Sequence, residues 1–181
     1  MKKQPFGIIG GMGPAASLKL CEYILKHTKA ASDQQHLPFI LYNNPQVPDR
    51  TEAICHDGPS PVAELIKTAT TLSQAGCEFL VMPCNTAHHY IEEINKQISI
   101  PVINMIEETT QYIRTTHPEC SQIGILATTG TLQAGVYSKP VCEKNMSLIS
   151  PEENNQRDLV MKAIYQIKSE KNDRSKAKQL L

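Results

Sequence analysis

Short, unbroken apolar runs alternate along this chain with stretches of amphipathic helical periodicity, and this alternation leaves few folds open. Strands buried on both faces of a parallel sheet form such unbroken runs, whereas strands with one solvated face alternate apolar and polar residues. The predicted strands are Phe6–Ile9, Pro38–Tyr42, Phe79–Met82, Ile100–Ile103, Gln122–Ala127 and a short one near Ser147–Ile149. Helical patterns separate them, so the sequence predicts an α/β fold of parallel sheets flanked by helices.

A short internal repeat indicates two related lobes. The segment Gly7–Gly13 has the frame G-I-x-x-x-x-G, and Gly124–Gly130 repeats it at the next comparable junction between strand and loop. Together with the repeated strand–helix order, this predicts two pseudo-symmetric lobes, residues 1–104 and 105–181. In such sheets ligands bind at the carboxyl ends of the strands, so the loops after strands are the candidate sites.

Charge and cysteine usage exclude several classes of function. The formal net charge is +0 and no basic stripe is visible, which argues against nucleic acid and anionic membranes as partners. No apolar run approaches the length of a membrane span. The 6 cysteines form no C-x-x-C pair, and the first apolar run is a strand rather than a secretory segment, so we expect free thiols in the cytoplasm.

Cys84 is the strongest candidate for chemistry. It follows a predicted buried strand and precedes a predicted helix over Ala87–Gln97. Backbone N–H groups and the dipole at a helix N-terminus would favour its thiolate. Asn85 and Thr86 add a donor-rich turn that could hold a carboxylate. We expect Cys21, Cys77, Cys120 and Cys142 to be small buried side chains without chemistry.

Three further loops each allow two interpretations. Gly10–Gly13 is either a tight turn or a ligand loop; a dinucleotide site is disfavoured because the second strand ends in Asn43 and Asn44 rather than in an acidic residue. Thr128–Thr131 could bind a carboxylate or cap the next helix. Arg50, in a polar loop predicted over Gln46–Ser60, is suited to bidentate carboxylate binding, although a lone arginine in a loop is usually solvated.

His88 and His89 follow Cys84 closely, and Cys84 and His88 would share a helix face. A metal site is conceivable, but no further ligands have the required spacing, so we predict none. His88 is expected to pack under the thiol or tune it, and His89 to be exposed.

Several of these segments together resemble aspartate racemases of the aspartate/glutamate/hydantoin racemase superfamily. They are Gly10–Pro14, Asn44 with Pro48–Thr51, Pro83–His88, Gly124–Thr131 and Ile164–Lys168. The resemblance spans nearly the whole chain in the correct order. It implies two similar α/β lobes and amino-acid racemisation without pyridoxal or another cofactor.

The resemblance also implies roles for individual residues. Cys84 would be the first-lobe base of a two-thiol mechanism, in which one thiolate removes the α-proton and a thiol on the opposite face returns one. Arg50 and Lys168 would bind the carboxylates of aspartate or glutamate. The remaining substrate-binding residues would be Met12, Asn85, Thr86, Thr129, Gly130 and Thr131.

No cysteine of the chain has the position expected for the second thiol of that mechanism. The spacing from Gly7 to Cys84, applied to Gly124, would place it at about position 201. Cys120 and Cys142 precede strands, so neither is a convincing substitute. We therefore expect an incomplete second lobe, a chain that is shortened relative to the family, and weak or absent racemisation in this form.

Three functions remain open on the sequence alone. They are a racemase of aspartate or glutamate, a non-catalytic amino-acid or dicarboxylate binder that retains Arg50 and Lys168, and a lyase or isomerase that uses Cys84 as a single thiol. The resemblance further implies a homodimer.

Overall fold

A computed structural model describes residues 4–168 and 174–180. The residues form two units, Met1–Asp49 with Ser60–Met105, and Arg50–Pro59 with Ile106–Leu181. Arg50–Pro59 thus groups with later residues rather than with its neighbours along the chain. The existence of two lobes related by a repeat stays a prediction.

The helices are α1 (Pro14–His27), α2 (Arg50–Cys55), α3 (Val62–Gln74), α4 (Ile91–Asn95), α5 (Met105–Thr116), α6 (Thr129–Gln133), α7 (Ser138–Glu143), α8 (Glu153–Asn155), α9 (Lys162–Lys168) and α10 (Arg174–Leu180). Short 3-10 helices lie at Asp33–Gln35 and Thr86–Tyr90, and a π-helical segment, Gln156–Met161, joins α8 to α9. None of the helices in the described part of the chain has the length and apolar character needed to cross a bilayer.

The first unit is built on a parallel sheet with strand order β2–β1–β3. The strands are β1 (Phe6–Gly10), β2 (Phe39–Asn43) and β3 (Leu80–Val81). Every residue of β1 is buried, as expected for a central parallel strand with both faces covered. The predicted strand Ile100–Ile103 is present only as an isolated parallel bridge between Leu80 and Val102.

Helix α3 covers one face of this sheet. Its buried residues recur every three or four positions, and each fully buried leucine among them stabilises the fold by about 1.5–3 kcal/mol; they are Leu65, Thr68, Ala69 and Leu72. The helix approaches β1 closely because Gly7 has no side chain there. A Cβ at Gly7 would lie 3.1 Å from the Cβ of Leu72 and 2.5 Å from Cδ2 of Leu80.

Helix α1 buries a different face from the one its pattern predicts. Apolar periodicity predicts that Leu18, Cys21 and Leu25 point into the core, but Leu18 is 61% exposed and Leu25 is 50% exposed. The residue of α1 that is buried is Ser17. The apolar stripe of α1 therefore remains on the surface of the unit.

The second unit contains a two-stranded parallel sheet of β4 (Gln122–Gly124) and β5 (Ser147–Ile149), in which Ile123 lies opposite Leu148. Both strands are only partly covered. The buried apolar side chains of this unit come mainly from its helices: Ile106, Val141, Val160 and Ala163. Parallel sheets flanked by helices confirm the predicted fold class.

Two local predictions were wrong. The polar segment predicted as a loop contains α2, whose six residues are too few to be stable alone and are held by packing against α6. The helix predicted over Ala87–Gln97 begins as the 3-10 helix Thr86–Tyr90 and becomes α-helical only in α4. The contact of α2 with α6 joins segments far apart along the chain, so local periodicity could not predict that helix.

Candidate active site

The first unit places two of the predicted loops at one sheet edge. Strands β1 and β3 are parallel neighbours, with Ile8 opposite Val81. The loops that follow them, Gly10–Gly13 and Pro83–Asn85, therefore leave the sheet at the same carboxyl edge, where parallel α/β sheets bind ligands.

The glycine loop is shaped by a close backbone approach. Gly11 has a φ of 100°, and a Cβ there would lie 2.2 Å from the carbonyl oxygen of Asn44. Its N–H donates to Oγ of the buried Ser17 at 3.0 Å. The tight-turn interpretation thus accounts for Gly11. Met12 is buried beside it, and its role in substrate binding stays a prediction.

Asn44 fastens this turn to the rest of the unit. Its backbone N–H donates to the Gly10 carbonyl at 3.2 Å. Its Nδ2 donates to Glu64 Oε2 at 3.1 Å and to Thr68 Oγ1 at 3.3 Å. The turn at Gly10–Gly13 is therefore connected through Asn44 to α3 by side-chain hydrogen bonds, in addition to the backbone hydrogen bond at the end of the sheet.

Cys84 lies in a tight turn directly after β3. The side chain is buried, and the backbone N–H donates to the Met82 carbonyl at 2.8 Å. The helix that follows is a short 3-10 helix, so its dipole is smaller than that of the predicted α-helix. Asn85 is exposed and Thr86 is buried.

His88 is buried under the Cys84 turn and is bonded through both ring nitrogens. Nδ1 lies 2.8 Å from the Cys84 carbonyl oxygen, and Nε2 accepts from the Met105 N–H at 3.1 Å. Burial lowers the pKa of His88, and the hydrogen bond to Cys84 raises it in part. Because both nitrogens bind backbone groups, His88 holds the Cys84 backbone rather than the sulfur. His89 is exposed, as predicted, and its ring packs edge-on against Tyr90.

The other cysteines differ in burial. Cys77 is buried, and burial raises the pKa of its thiol; the pKa of Cys21 is raised for the same reason. The expectation of buried side chains is therefore confirmed for Cys77 alone, since Cys21 and Cys120 are only partly buried and Cys142 is exposed. The position of Cys142 in α7, a short helix with an exposed face, explains the difference.

The second unit brings Arg50 next to Thr128–Thr131, the threonine loop. Arg50 and Thr51 are the first residues of α2 and are both buried. A Cβ at Gly130 would lie 2.8 Å from Cα of Thr51 and 2.9 Å from its Oγ1. The start of α2 therefore packs on α6 only because position 130 is glycine. The two helices are far apart in the sequence, so sequence patterns did not predict that α6 lies next to Arg50.

Thr128 caps α6. Its Oγ1 accepts from the Thr131 N–H at 3.2 Å and lies 3.0 Å from Thr131 Oγ1. Capping is therefore one use of this loop, in agreement with one of its two interpretations. Thr129 and Thr131 are partly and fully buried, respectively, and their role in carboxylate binding stays a prediction.

Two residues that the sequence motifs did not indicate bind this loop. Gln156 Nε2 donates to the Ala127 carbonyl at 2.9 Å and to Thr129 Oγ1 at 3.4 Å. The Thr129 N–H donates to Sδ of Met161 at 3.2 Å. Gln156 shares a buried helix face with Val160 and Ala163. In the sequence, a glutamine on a helix face that is otherwise apolar is the signal that could have identified Gln156.

Lys168 lies at the end of α9 and is exposed. Its Nζ is 5.9 Å from the centre of the Tyr165 ring, a contact typical of a cation–π interaction. Residues 169–173 directly after it lie outside the described part of the chain. In residues 4–168 and 174–180, no cluster of three or more His, Cys, Asp or Glu side chains could hold a metal ion.

Comparison with known proteins gives a consistent result. The family model of Asp/Glu/Hydantoin racemase matches residues 9–181. The chain is 33% identical over 137 residues to the broad specificity amino-acid racemase RacX of Bacillus subtilis, covering 74% of this chain and 58% of RacX. It is 29% identical over 154 residues to the glutamate racemase of Latilactobacillus sakei, covering 80% of this chain and 49% of that protein. The chain thus spans about half the length of these curated relatives.

Solved structures give the same result. Picrophilus torridus aspartate racemase is similar with a TM-score of 0.87 and 32% identity, covering 98% of this chain and 72% of that chain. An aspartate racemase homologue from Pyrococcus horikoshii has a TM-score of 0.68 at 21% identity, covering 98% and 82% of the two chains. At that identity the second likeness concerns the fold alone.

Proposed function

Because this chain belongs to the Asp/Glu/hydantoin racemase family, we propose that it is an amino-acid racemase that acts on an acidic amino acid without a cofactor. The observation that carries this proposal is the position of Cys84. Among the described residues, it is the cysteine in a loop at the carboxyl edge of a parallel sheet.

The proposed chemistry begins with the Cys84 thiolate. It removes the α-proton, so that the Cα–H bond breaks, an S–H bond forms and the electron pair passes into the α-carboxylate as an enediolate. An acid on the opposite face then returns a proton to Cα. Such a step needs a positioned base and donors aimed at the developing negative charge. In the family this acid is, by resemblance, a second cysteine.

The substrate carboxylates are proposed to bind to cationic and hydroxyl donors. Arg50 is supported by its burial at the start of α2 and by its closeness in sequence and space to Thr51, which packs on Gly130. A guanidinium can bind a carboxylate through two parallel N–H donors. The remaining proposed substrate-binding residues are Met12, Asn85, Thr86, Thr129, Gly130, Thr131 and Lys168.

The choice of substrate rests on the relatives. One is named a broad specificity amino-acid racemase, another is a glutamate racemase, and the structural relative with the TM-score of 0.87 is an aspartate racemase. Two cationic side chains, Arg50 and Lys168, match a substrate with two carboxylates. We therefore propose aspartate or glutamate as the substrate class.

The location and assembly are proposals as well. The cysteines of the described residues are free, which is consistent with a reducing compartment, and we propose the cytoplasm. We also propose a homodimer, supported by the exposed apolar stripe of α1.

Racemisation in deuterated water tests the function. The purified 181-residue chain is incubated with L- or D-aspartate or glutamate, the enantiomers are separated by chiral chromatography and α-deuterium is measured by mass spectrometry. Inversion with deuterium incorporation is the result expected of a racemase, and it would support the proposed function. Exchange with retention would indicate a one-thiol enzyme. Binding without exchange would indicate a binding protein and contradict the proposed function.

A further inference from the structure

His88 joins two backbone groups that the sequence places far apart. The imidazole is 4% exposed. Its Nδ1 lies 2.8 Å from the carbonyl oxygen of Cys84, one turn earlier, and its Nε2 lies 3.1 Å from the backbone nitrogen of Met105, the first residue of α5. One ring thus spans the distance between the thiol-bearing residue and the start of a 12-residue helix.

These two partners determine the tautomer of the ring. A carbonyl oxygen can only accept a hydrogen bond, so Nδ1 must carry the proton. A backbone N–H can only donate, so Nε2 must be bare. The geometry is therefore compatible with one form of the side chain, the neutral imidazole protonated at Nδ1.

We propose that His88 is a positioning residue for Cys84, which it serves by tying the Cys84 carbonyl to the first N–H of α5 as a neutral Nδ1–H imidazole. This inference rests on the proposed role of Cys84 as the base. His88 transfers no proton, because both ring nitrogens are already bonded to the backbone. Its ring instead fixes the position of the Cys84 turn relative to Met105.

Protonation of the ring would break this arrangement. Nε2 would become a donor facing the Met105 N–H, and the positive charge would lie at the N-terminus of α5, where the helix dipole disfavours cations. Burial acts in the same direction on the pKa of His88. The first turn of α5 also carries Glu107 and Glu108, and the neighbouring ring on the 3-10 helix is the exposed His89.

Positioning has a measurable effect on a proton-transfer reaction. A base displaced by about 1 Å can lose on the order of 100-fold in rate, because the reacting atoms are no longer in a near-attack arrangement. Binding of the carboxylates by other residues would be little affected. Loss of His88 should therefore lower kcat and leave KM nearly unchanged.

The first test is the tautomer itself. Nitrogen-15 NMR of the chain labelled at histidine reports the protonation of each ring nitrogen, with His88→Asn identifying the signal. We expect a protonated Nδ1 and a bare Nε2 that persist from about pH 7.5 to below the midpoint of an ordinary exposed histidine, about 6.5. An Nε2–H tautomer, or an imidazolium at about pH 7, would overturn the proposal. This readout does not depend on whether the chain is a racemase.

The second test compares variants in the α-proton exchange assay. His88→Ala should lose about 100-fold in kcat, and His88→Asn, whose Nδ2 can still donate to the Cys84 carbonyl, should recover part of that loss. His89→Gln is the matched control and should keep the parent rate. A folded His88→Ala chain with the parent kcat would contradict the proposal. If His88→Ala does not fold, an Asn variant with full activity would contradict it equally.

Failure of the proposed function can be separated from failure of this inference. If the parent chain shows no exchange, the racemase proposal fails, and the positioning claim is then tested by the alkylation rate of Cys84 measured by peptide mass spectrometry. His88→Ala should change that rate several-fold without changing the rate at Cys142. An unchanged rate at Cys84 would overturn the positioning claim.

Discussion

Gly130 illustrates how a single residue determines which segments can meet. It lies on α6, where the backbone of Thr51 comes so close that a Cβ would be 2.8 Å from the Thr51 Cα. That contact holds Arg50, the residue before Thr51, beside the threonine loop. A glycine is required there for space rather than for an unusual φ.

We predict that Gly130→Ala destabilises the chain, because the added methyl group forces α2 away from α6. The free energy of unfolding should fall by about 1–3 kcal/mol, the usual cost of overpacking, as measured by urea denaturation. Gly124→Ala is the matched control, since a Cβ there meets nothing within 4 Å. Equal stability of the two variants would contradict the proposed contact.

A second residue-scale prediction concerns pH. Burial lowers the pKa of His88 in the folded chain, whereas an unfolded histidine titrates at about 6.5. Between these two values the unfolded chain binds a proton that the folded chain does not, so the free energy of unfolding falls as the pH is lowered from about 6.5. His88→Asn should remove this part of the pH dependence.

The measurement is the urea midpoint between about pH 7.5 and 5, the range that brackets an unfolded histidine. His89→Asn serves as the control, because that ring is exposed, and it should keep the slope of the parent chain. Identical slopes for the His88 and His89 variants would show that His88 is not the titrating group.

At the scale of elements, the π-helical segment Gln156–Met161 forms hydrogen bonds from both of its ends to the loop at Ala127 and Thr129. Its first residue donates to Ala127 and Thr129, and its last residue accepts from the Thr129 N–H. π-helical turns are rare and often occur at functional sites. Here both ends of the turn bind the loop proposed to hold a carboxylate.

We predict that Gln156→Glu destabilises the chain at neutral pH. The side chain is 6% exposed, and a carboxylate there would face the Ala127 carbonyl without a donor, at a cost of about 3 kcal/mol. Burial raises the pKa of such a carboxyl group, and its protonated form can again donate to Ala127, so the penalty should shrink as the pH falls toward about 5. Urea denaturation at neutral and at mildly acidic pH checks both points.

Gln111→Glu is the matched control for this prediction. Gln111 is exposed on α5, and a surface substitution of this kind usually changes stability by less than about 0.5 kcal/mol. A Gln156→Glu penalty as small as that of the control, or one that grows on acidification, would contradict the proposed hydrogen bonds.

Sequence patterns predicted the elements that depend on local periodicity, and missed those that depend on distant partners. The buried strand β1 and the turn at Cys84 follow from an apolar run and its end. Helix α2 could not be predicted, because its six residues are stabilised by α6, far along the chain. The role of Gln156 depends on a hydrogen bond to Ala127, a partner that spacing cannot reveal.

On the scale of the whole molecule, the observed α/β fold is the one found in the family that the sequence matches. A parallel α/β chain that matches the family model over residues 9–181 has Cys84 in a loop at the carboxyl edge of its first sheet. Within the described residues, the apolar stripe of α1 is exposed to solvent in a single chain. Leu18 and Leu25 lie seven residues apart on one helix face and remain exposed, as expected of an interface.

We predict that this stripe supports the proposed homodimer. Sedimentation velocity should show a dimer for the parent chain and a monomer for the double variant Leu18→Glu, Leu25→Glu, because two buried carboxylates at an interface are costly. Leu126→Glu is the control, since Leu126 is 62% exposed on the other unit. A parent chain that sediments as a monomer, or a double variant that remains dimeric, would contradict the prediction.

The proposed role of Cys84 is tested most directly by α-proton exchange of aspartate and glutamate in deuterated water, compared between the parent chain, Cys84→Ser and Cys142→Ser. We predict exchange by the parent chain, a rate lower by about 100-fold or more for Cys84→Ser because a hydroxyl is far less readily ionised than a thiol, and the parent rate for Cys142→Ser. Exchange that survives in a folded Cys84→Ser chain would show that another group removes the proton, and the proposed site would then be wrong.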